Sequence, residues 1–452
     1  MTADEFSTRL SQDCALKPGS HVLVALSGGA DSTALFCFLL EIAQRYPLSI
    51  SCAHVEHGIR GKASEDDCAF VHALCENKGV SLYVSHVDAP AYSREHGCGM
   101  EDAARRLRYA FLHETADAIG ADAIALAHHA GDQAETVLLH AMRGSDIKGL
   151  CAMRHRSGRL IRPMLDETPE MLRAYLMSIG QKWREDESNT DTAYLRNRVR
   201  HDILPQMEAA MPGAGSALRR LSRAAQRDED YFRRQLDALN LQEIPLADGI
   251  AVQKDALSRL HPAVCSRALV RLMDHAGIAP QRVAALEAVM AALDESEAVV
   301  NLSGDAYASV GDKYLCLTCA SAKIADVPLN VPGYTQTPFG GFEVREASGE
   351  TGDGRRTQCM PLHLLEGACV SSRREGDVMI PFGRKTPVKI KKLMIDAHVE
   401  RAMRRSVPLV RDCKGNVLFA VGLRASEGCR IYGDEKQMLV RFCGNWSPAD
   451  RK

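Results

Sequence analysis

No stretch of this chain approaches the ~20 consecutive apolar residues that a membrane-spanning helix needs, so no membrane segment is expected. Residues Met1 to Ser20 carry acids and lack the apolar core of a signal peptide, so export is not expected either. Internal repeats and low-complexity tracts are missing. Paired cysteine spacing is missing too: the 15 cysteines are scattered, and Cys37, Cys52 and Cys68 fall inside apparent strands and helices, as free core thiols do in a reducing cytosol. One Cys-x-x-Cys exists, Cys316 to Cys319, but it sits in a strand-like run with no second pair to complete a metal site. Charge of one sign is also lacking, the formal net being −2, so the whole chain does not advertise a nucleic-acid binder. What is present is ordinary for a globular protein, 46% hydrophobic and 25% charged over 452 residues, a length that suits roughly three domains.

The most informative stretch is His21-Val-Leu-Val-Ala-Leu-Ser27-Gly28-Gly29-Ala30-Asp31-Ser32-Thr33. Val22 to Leu26 read as a strand buried on both faces, as in a parallel sheet. A turn of small residues follows, then a helix from Thr33. The first amides of that helix point back into the turn with the positive end of the macrodipole. Gly28 and Gly29 leave the backbone open to an anion, and Ser27 and Ser32 add hydroxyls. This describes a phosphate cradle with an acid, Asp31, placed to hold Mg²⁺ at its edge. Neither Gly-Lys-Ser/Thr nor Gly-x-Gly-x-x-Gly is present, which excludes the two commonest phosphate loops. The full Ser-Gly-Gly-x-Asp-Ser string resembles the pyrophosphate loop of the N-type ATP pyrophosphatases, which cleave ATP between the α and β phosphates and adenylate a substrate.

Strands and helices alternate through the first ~200 residues, which implies a doubly wound parallel sheet. Further strands are expected at Leu48–Val55, Leu82–Val87 and Ala123–His128, with a long helix from Met100 to Ile119 and another through Gln133–Leu139. Ligands sit at the carboxyl ends of strands in such sheets. His54, His57, Arg60, His128, His129 and Asp132 all fall at that edge, beside the Ser27–Ser32 loop. Asp132 and Glu135 project from one face at a helix start, where carboxylates bind a cation or cap the helix. Glu101, Arg105 and Arg108 share a helix face, which alone describes an ion-pair stripe.

Pro205 and Met211-Pro-Gly-Ala-Gly215 mark a boundary. The expected domains are an α/β catalytic domain over 1–212, a mainly helical domain over 213–350 with short strands near its end, and a small α+β domain over 357–452. Residues 216–240 read as an Arg-rich helix. Between Ser371 and Arg405 there are ten Lys or Arg against four acids. Such a patch matches a phosphate backbone or a solvated face equally well.

Taken together, the motifs resemble those of the tRNA(Ile)-lysidine synthetases, over nearly the whole chain. The carrying segments are Ser27–Ser32, His54-Val-Glu-His-Gly-Ile-Arg60, Glu101–Tyr109, Ala127-His-His-Ala-Gly-Asp-Gln-Ala-Glu-Thr136, Arg143-Gly-Ser145 with Gly149-Leu150, Arg162-Pro-Met-Leu165, Glu185–Asn189, Arg196–Arg200, and Arg374-Glu-Gly-Asp377 with Lys389–Leu393. Two positions depart from the family pattern: Glu56 stands for an Asp, and Gly131 for the first of two adjacent acids. The resemblance implies a cytoplasmic ligase, in which ATP adenylates the C2 oxygen of the wobble cytidine of a CAU-anticodon isoleucine tRNA. Free L-lysine then displaces AMP to form lysidine. It implies ATP contacts from Ser27, Gly28, Gly29, Ala30, Asp31, Ser32, Ala53, His54 and His128, and Mg²⁺ on Asp31 and Asp132. Catalytic roles fall to these two acids with Glu135, Arg196, Asn197 and Arg200, Glu135 binding lysine's ammonium or accepting its proton. The tRNA contacts are expected from Arg105, Arg108, Arg219, Arg220, Arg373, Arg374, Lys389, Lys391 and Lys392. Oligomeric state, a homodimer included, is left open.

Two rivals stand beside this reading. A tRNA thiolase of the same fold would need a persulfide cysteine or cluster ligands, for which Cys98 and Cys151 are the candidates. A non-catalytic ATP-binding regulator would not need Asp132, Glu135 and the Arg196–Arg200 string.

Overall fold

Between α1 (Ala3–Gln12) and α2 (Ala30–Ala43) runs β1 (His21–Ala25), whose successive side chains enter two different cores. Val22 and Val24 pack with Phe6, Leu10, Phe36 and Leu39, whereas Leu23 packs with Leu112, Ala116 and Ile124 on the opposite face. All three residues are fully buried, each burial contributing about 1.5–3 kcal/mol. This is the two-faced strand expected from the apolar run. The computed structural model describes residues 3–56, 62–185, 195–279, 281–319, 325–433 and 435–444. His57, Arg60 and residues 186–189, part of the family resemblance, lie outside them. The chain divides into two units, Met1–Tyr231 and Phe232–Lys452.

The first unit continues through β2 (Ser49–Glu56), α3 (Lys62–Lys78), β3 (Leu82–His86), α4 (Ala89–His96), α5 (Met100–Ala118), β4 (Ala123–Ala125) and α6 (Ala130–Met142). After α7 (Ile147–Leu150), β5 (Arg156–Ser157), β6 (Leu160–Ile161) and α8 (Pro169–Ser178), α9 (Leu195–Arg198) passes into a π turn at Val199–Ile203 and then α10 (Leu204–Ala210) and α11 (Ala214–Ala238). The sheet order is β3-β2-β1-β4-β6-β5. The pairs β1–β2, β2–β3, β1–β4 and β4–β6 are parallel, and β5 closes the edge antiparallel to β6. Val24 is the pivot, facing Cys52 in β2 and Ala125 in β4. The chain winds outward from β1 to β3, then crosses back to place β4 on the other side of β1. A crevice therefore opens beyond the carboxyl ends of β1 and β4, and the loop after each strand borders it.

In the second unit a five-stranded antiparallel sheet is formed by 244–246, 249–253, 314–319, 306–310 and 298–301, in that order. Helices Pro262–His275 and Val283–Ala292 pack against it around Leu269, Leu272 and Val289. Cys316 lies in the core shared with residues 339–442, and Cys319 packs against the helical core instead. Three residues apart on a strand, the two thiols face opposite ways and do not form one site. Beyond 325 the structure is mainly β. A sheet of 327–328, 369–371, 409–411, 417–420 and 424–425 is accompanied by one of 333–337, 340–346, 437–442 and 357–361. The hairpin 378–379/388–389 and helix Ile390–Asp396 complete it. Among the described residues no helix is long and apolar enough to cross a membrane.

Candidate active site

The loop after β1 is shaped by one residue. Gly28 has φ +88°, a backbone conformation that favours glycine, and a Cβ there would also come within 3.2 Å of Val71 Cγ2. Gly29 is the N-cap of α2 and supplies no side-chain cap. The first intrahelical bond runs from Thr33 N–H to the Gly29 carbonyl at 3.0 Å. The amides of Ala30, Asp31 and Ser32 therefore have no acceptor within the helix; that of Ala30 faces the Arg184 carbonyl across the Gly29–Arg184 bridge, and those of Asp31 and Ser32 are left for an anion. Ser32 Oγ accepts from Ser27 N–H at 3.1 Å, donates to Gly29 O at 3.2 Å and lies 3.0 Å from Ser27 Oγ. The two serines thus tie the loop to the helix it opens.

A cleft of about 520 Å³ lies over this loop, within the usual range for small-molecule sites. Ser27, Gly29, Ala30, Asp31 and Ser32 form its floor. Ala53 and His54 from the end of β2 and His128 from beyond β4 line its wall, as the strand-end argument expected. His54 Nδ1 donates to the Leu26 carbonyl at 2.9 Å, fixing the buried ring beside the loop. His128 Nδ1 is buried without a partner, and burial holds its pKa down to about 3, so the ring is neutral.

Next to the cleft, α6 begins with a side-chain cap, unlike α2. His129 Nδ1 accepts the amide N–H groups of Gly131 and Asp132, at 3.0 and 3.3 Å, and Asp132 Oδ2 accepts His129 N–H at 3.0 Å. The Nε2 of the same ring lies 3.6 Å from Asp31 Oδ2. Burial, helped by the charge of Asp132, holds the Asp31 carboxyl above its ordinary value against the pull of His129. Asp132 goes the other way: burial would raise it, but His129, His128, Arg196 and the His129 amide outweigh that and lower it.

Glu135, one turn on from Asp132, is only 2% exposed and is held by both arginines of the 196–200 segment. Arg196 Nε donates to Glu135 Oε2 at 3.0 Å and its Nη2 reaches Asp132 Oδ1 at 3.3 Å. Arg200 Nη2 reaches Asp132 Oδ1 at 2.9 Å. Two carboxylates and two guanidiniums thus form one closed set, with Asn197 on the same short helix.

The other expected residues divide clearly. Arg108 lines the cleft and burial lowers its pKa, while Arg105 is exposed and stands over the Tyr109 ring. Arg219 and exposed Arg220 lie on α11, which is fastened through Ser222 to Gln133 and the Cys151 carbonyl. In the second unit Lys389, Lys391 and Lys392 are exposed, with Ile390 and Met394 anchoring their helix in the core. Arg374 pairs with Asp326, and Arg373 Nε is buried without a partner. Cleft residues that sequence reasoning missed are Arg173, on α8, and Arg184. Arg184 N–H donates to the Gly28 carbonyl at 2.9 Å and its Nε to Asp67 at 2.9 Å. Arg173 carries no local signal, and Arg184 immediately precedes the Glu185–Asn189 segment. Cys98 and Cys151 do not line the cleft.

An open helix N-terminus at a switch point, a Gly-Gly turn and an acid at its rim define an ATP-using enzyme of the PP-loop class. Residues 2–207 match the family model described as the PP-loop domain, and residues 369–441 match the TilS substrate C-terminal domain. The tRNA(Ile)-lysidine synthase of Geobacter sulfurreducens is 33% identical, over 94% of this chain and 93% of its own. That of Geobacillus kaustophilus is 30% identical, over 94% and 96%, and that of Clostridioides difficile 27%, over 97% and 98%. The chain belongs to the tRNA(Ile)-lysidine synthase family.

Proposed function

We propose that this enzyme adenylates the C2 oxygen of the wobble cytidine in a CAU-anticodon tRNA(Ile) with ATP, then joins free L-lysine to that carbon, releasing AMP and pyrophosphate. Family membership makes it a carbon–nitrogen ligase acting on tRNA. The observation that carries the residue-level reading is the adjacency of two polar sets, bridged by the Asp31–His129 contact. One is open to phosphates and the other is charged for an amino acid.

On this reading the amides of Asp31 and Ser32 hold the leaving phosphates, and Ala53 and His54 flank the adenosine. Arg108, Arg173 and Arg184 add positive charge around the cleft. Asp31, with 39% of its side chain exposed, suits Mg²⁺ shared with phosphate oxygens. Asp132 already accepts from Arg200 and Arg196 at Oδ1 and from the His129 amide at Oδ2, so a metal there would share an oxygen with those donors. Among the described residues no group of three His, Cys, Asp or Glu could hold a metal by itself, which fits an ion carried in with ATP. When bound, Mg²⁺ neutralises charge on the departing pyrophosphate. Neutral His128 can donate or accept a hydrogen bond in the cleft without adding charge.

The alternating acids and guanidiniums match a zwitterion. Lysine's carboxylate would meet Arg196 or Arg200, and an ammonium would meet Glu135 or Asp132. The base must leave the anticodon stack to reach the site. Remote contacts then fall to Arg219 and Arg220 on α11 and, in the second unit, to Arg373, Arg374, Lys389, Lys391 and Lys392. The same reading places the protein in the cytoplasm, where tRNA, ATP and free lysine meet.

Purified protein with Mg·ATP, a CAU-anticodon tRNA(Ile) and labelled lysine tests this directly. The expected result is lysine-dependent AMP release with label entering the tRNA. Pyrophosphate release with no lysine incorporated would replace lysine by another nucleophile, and the thiolase reading would return.

A further inference from the structure

We propose that Arg173 binds the β and γ phosphates of ATP and the pyrophosphate they become, supplying the cationic side chain that the loop after β1 lacks. This deepens the functional reading above and rests on it for the turnover measurement alone.

Between Ser27 and Thr33 there is no lysine or arginine, only hydroxyls, small residues and an acid. Two open amides and the positive end of the α2 dipole, roughly half a unit charge, face a tail that carries several negative charges. When the attacking oxygen bonds to the α phosphorus, the bridging oxygen leaves with the electron pair of the broken P–O bond. The departing tail then gains a further negative charge. Part of it falls to the metal that accompanies ATP. The rest calls for a cation from the protein.

Three arginines line the cleft, and two are already engaged. Arg184 Nε is held by Asp67 at 2.9 Å. Arg108 is half-buried and stands over the Tyr109 ring, 5.6 Å from its centroid. Arg173 is exposed and, among the described residues, makes no hydrogen bond or ion pair. Glu170, one turn back on α8, does not claim it as a close partner. The Glu170 carboxylate is engaged by its own amide and the Thr168 hydroxyl, which hold it below its ordinary value.

The root of Arg173 is fixed all the same. Leu172 and Leu176 on either side of it are buried in the core. Tyr175 stacks on Phe38 of α2, with ring centroids 3.6 Å apart, and its hydroxyl donates to Glu41 Oε2 at 3.0 Å. The helix that carries Arg173 is thus locked to the helix whose amides form the cleft floor. At Asp31, on the rim of that floor, the charge of Arg173 joins that of His129 against the burial that raises the carboxyl. The side chain is anchored at its base, free at its head and forked to take two phosphate oxygens at once.

The test compares Arg173→Ala and Arg173→Lys with the wild-type full chain. Calorimetric titrations with magnesium pyrophosphate and with AMP need neither tRNA nor lysine. Arg173→Ala should weaken pyrophosphate binding about ten- to a hundredfold, as for the loss of one charge-assisted pair. AMP binding should stay that of the wild type, because AMP has no β or γ phosphate. Arg173→Lys should recover part of the loss, keeping the charge without the fork. Melting temperatures should not move, since the side chain is exposed and its helix is held by other residues. With tRNA and labelled lysine added, the kcat of AMP release in Arg173→Ala should fall about tenfold or more.

Unchanged pyrophosphate affinity in Arg173→Ala would overturn the proposal, as would an equal loss for AMP or a wild type that binds no pyrophosphate. A wild-type kcat in Arg173→Ala would do the same. If the wild type released no AMP with lysine, the functional reading would fall. The two titrations would still decide whether Arg173 holds the phosphate tail.

Discussion

Arg200 grips Glu135 through both carboxylate oxygens, Nε to Oε1 at 2.5 Å and Nη2 to Oε2 at 3.0 Å. The pair joins residues 65 positions apart, and Glu135 has almost no access to water. Removing the cation leaves a buried carboxylate with only Arg196 to answer it. Arg200→Ala should therefore destabilise the protein by about 3 kcal/mol, the lower end for a broken buried pair. A urea midpoint shift measures this. Lysine incorporation should fall with it, and Arg200→Lys should not restore it, since an ammonium cannot make the two-pronged contact.

Gly28→Ala should remove ATP binding. The left-handed backbone at φ +88° costs an L-residue roughly 1–2 kcal/mol, and the new methyl meets Val71 as well. Calorimetric titration with ATP should show the loss, while the far-UV spectrum stays that of the wild type.

His128 should make the fold acid-sensitive. Its unfolded pKa is ~6.5, and burial lowers the folded one to about 3. The unfolded chain thus binds the extra proton between those values, so stability is full above pH ~6.5 and declines as pH falls toward 3. In His128→Asn the urea midpoint should drop less between pH 7 and pH 4.5 than in the wild type.

Lys391→Ala with Lys392→Ala should weaken tRNA binding and flatten its dependence on salt. Each lost phosphate contact lowers the log–log slope by about 0.7–0.9. Both side chains are exposed while Ile390 and Met394 hold the helix, so the melting temperature should not move. An unchanged slope would take these lysines out of the tRNA interface.

Much of the first unit was legible because its signals are local. An apolar run such as Val22–Leu26 is a buried strand by itself, and Ser27–Ser32 states its own turn. The strands at 244–246 and 249–253 were not legible. They are short, broken by Pro245 and Gly249, and hold together by pairing with residues 314–318 far along the chain. The site shows the same limit. Asp31, His54, His128 and Asp132 were visible as strand-end and helix-start residues. The mutual neutralisation of Asp132, Glu135, Arg196 and Arg200 was not, because spacing says nothing of which charge meets which.

The bare N-terminus of α2 has a chemical consequence. On the proposed reading, the Asp31 and Ser32 amides do not distinguish a phosphate still attached to adenosine from one already released. A pocket that draws in the nucleotide by its tail in this way is equally suited to keep pyrophosphate after the bond has broken. Product inhibition by pyrophosphate, competitive with ATP, is then the expected result of the same N–H groups proposed to hold the substrate's phosphates.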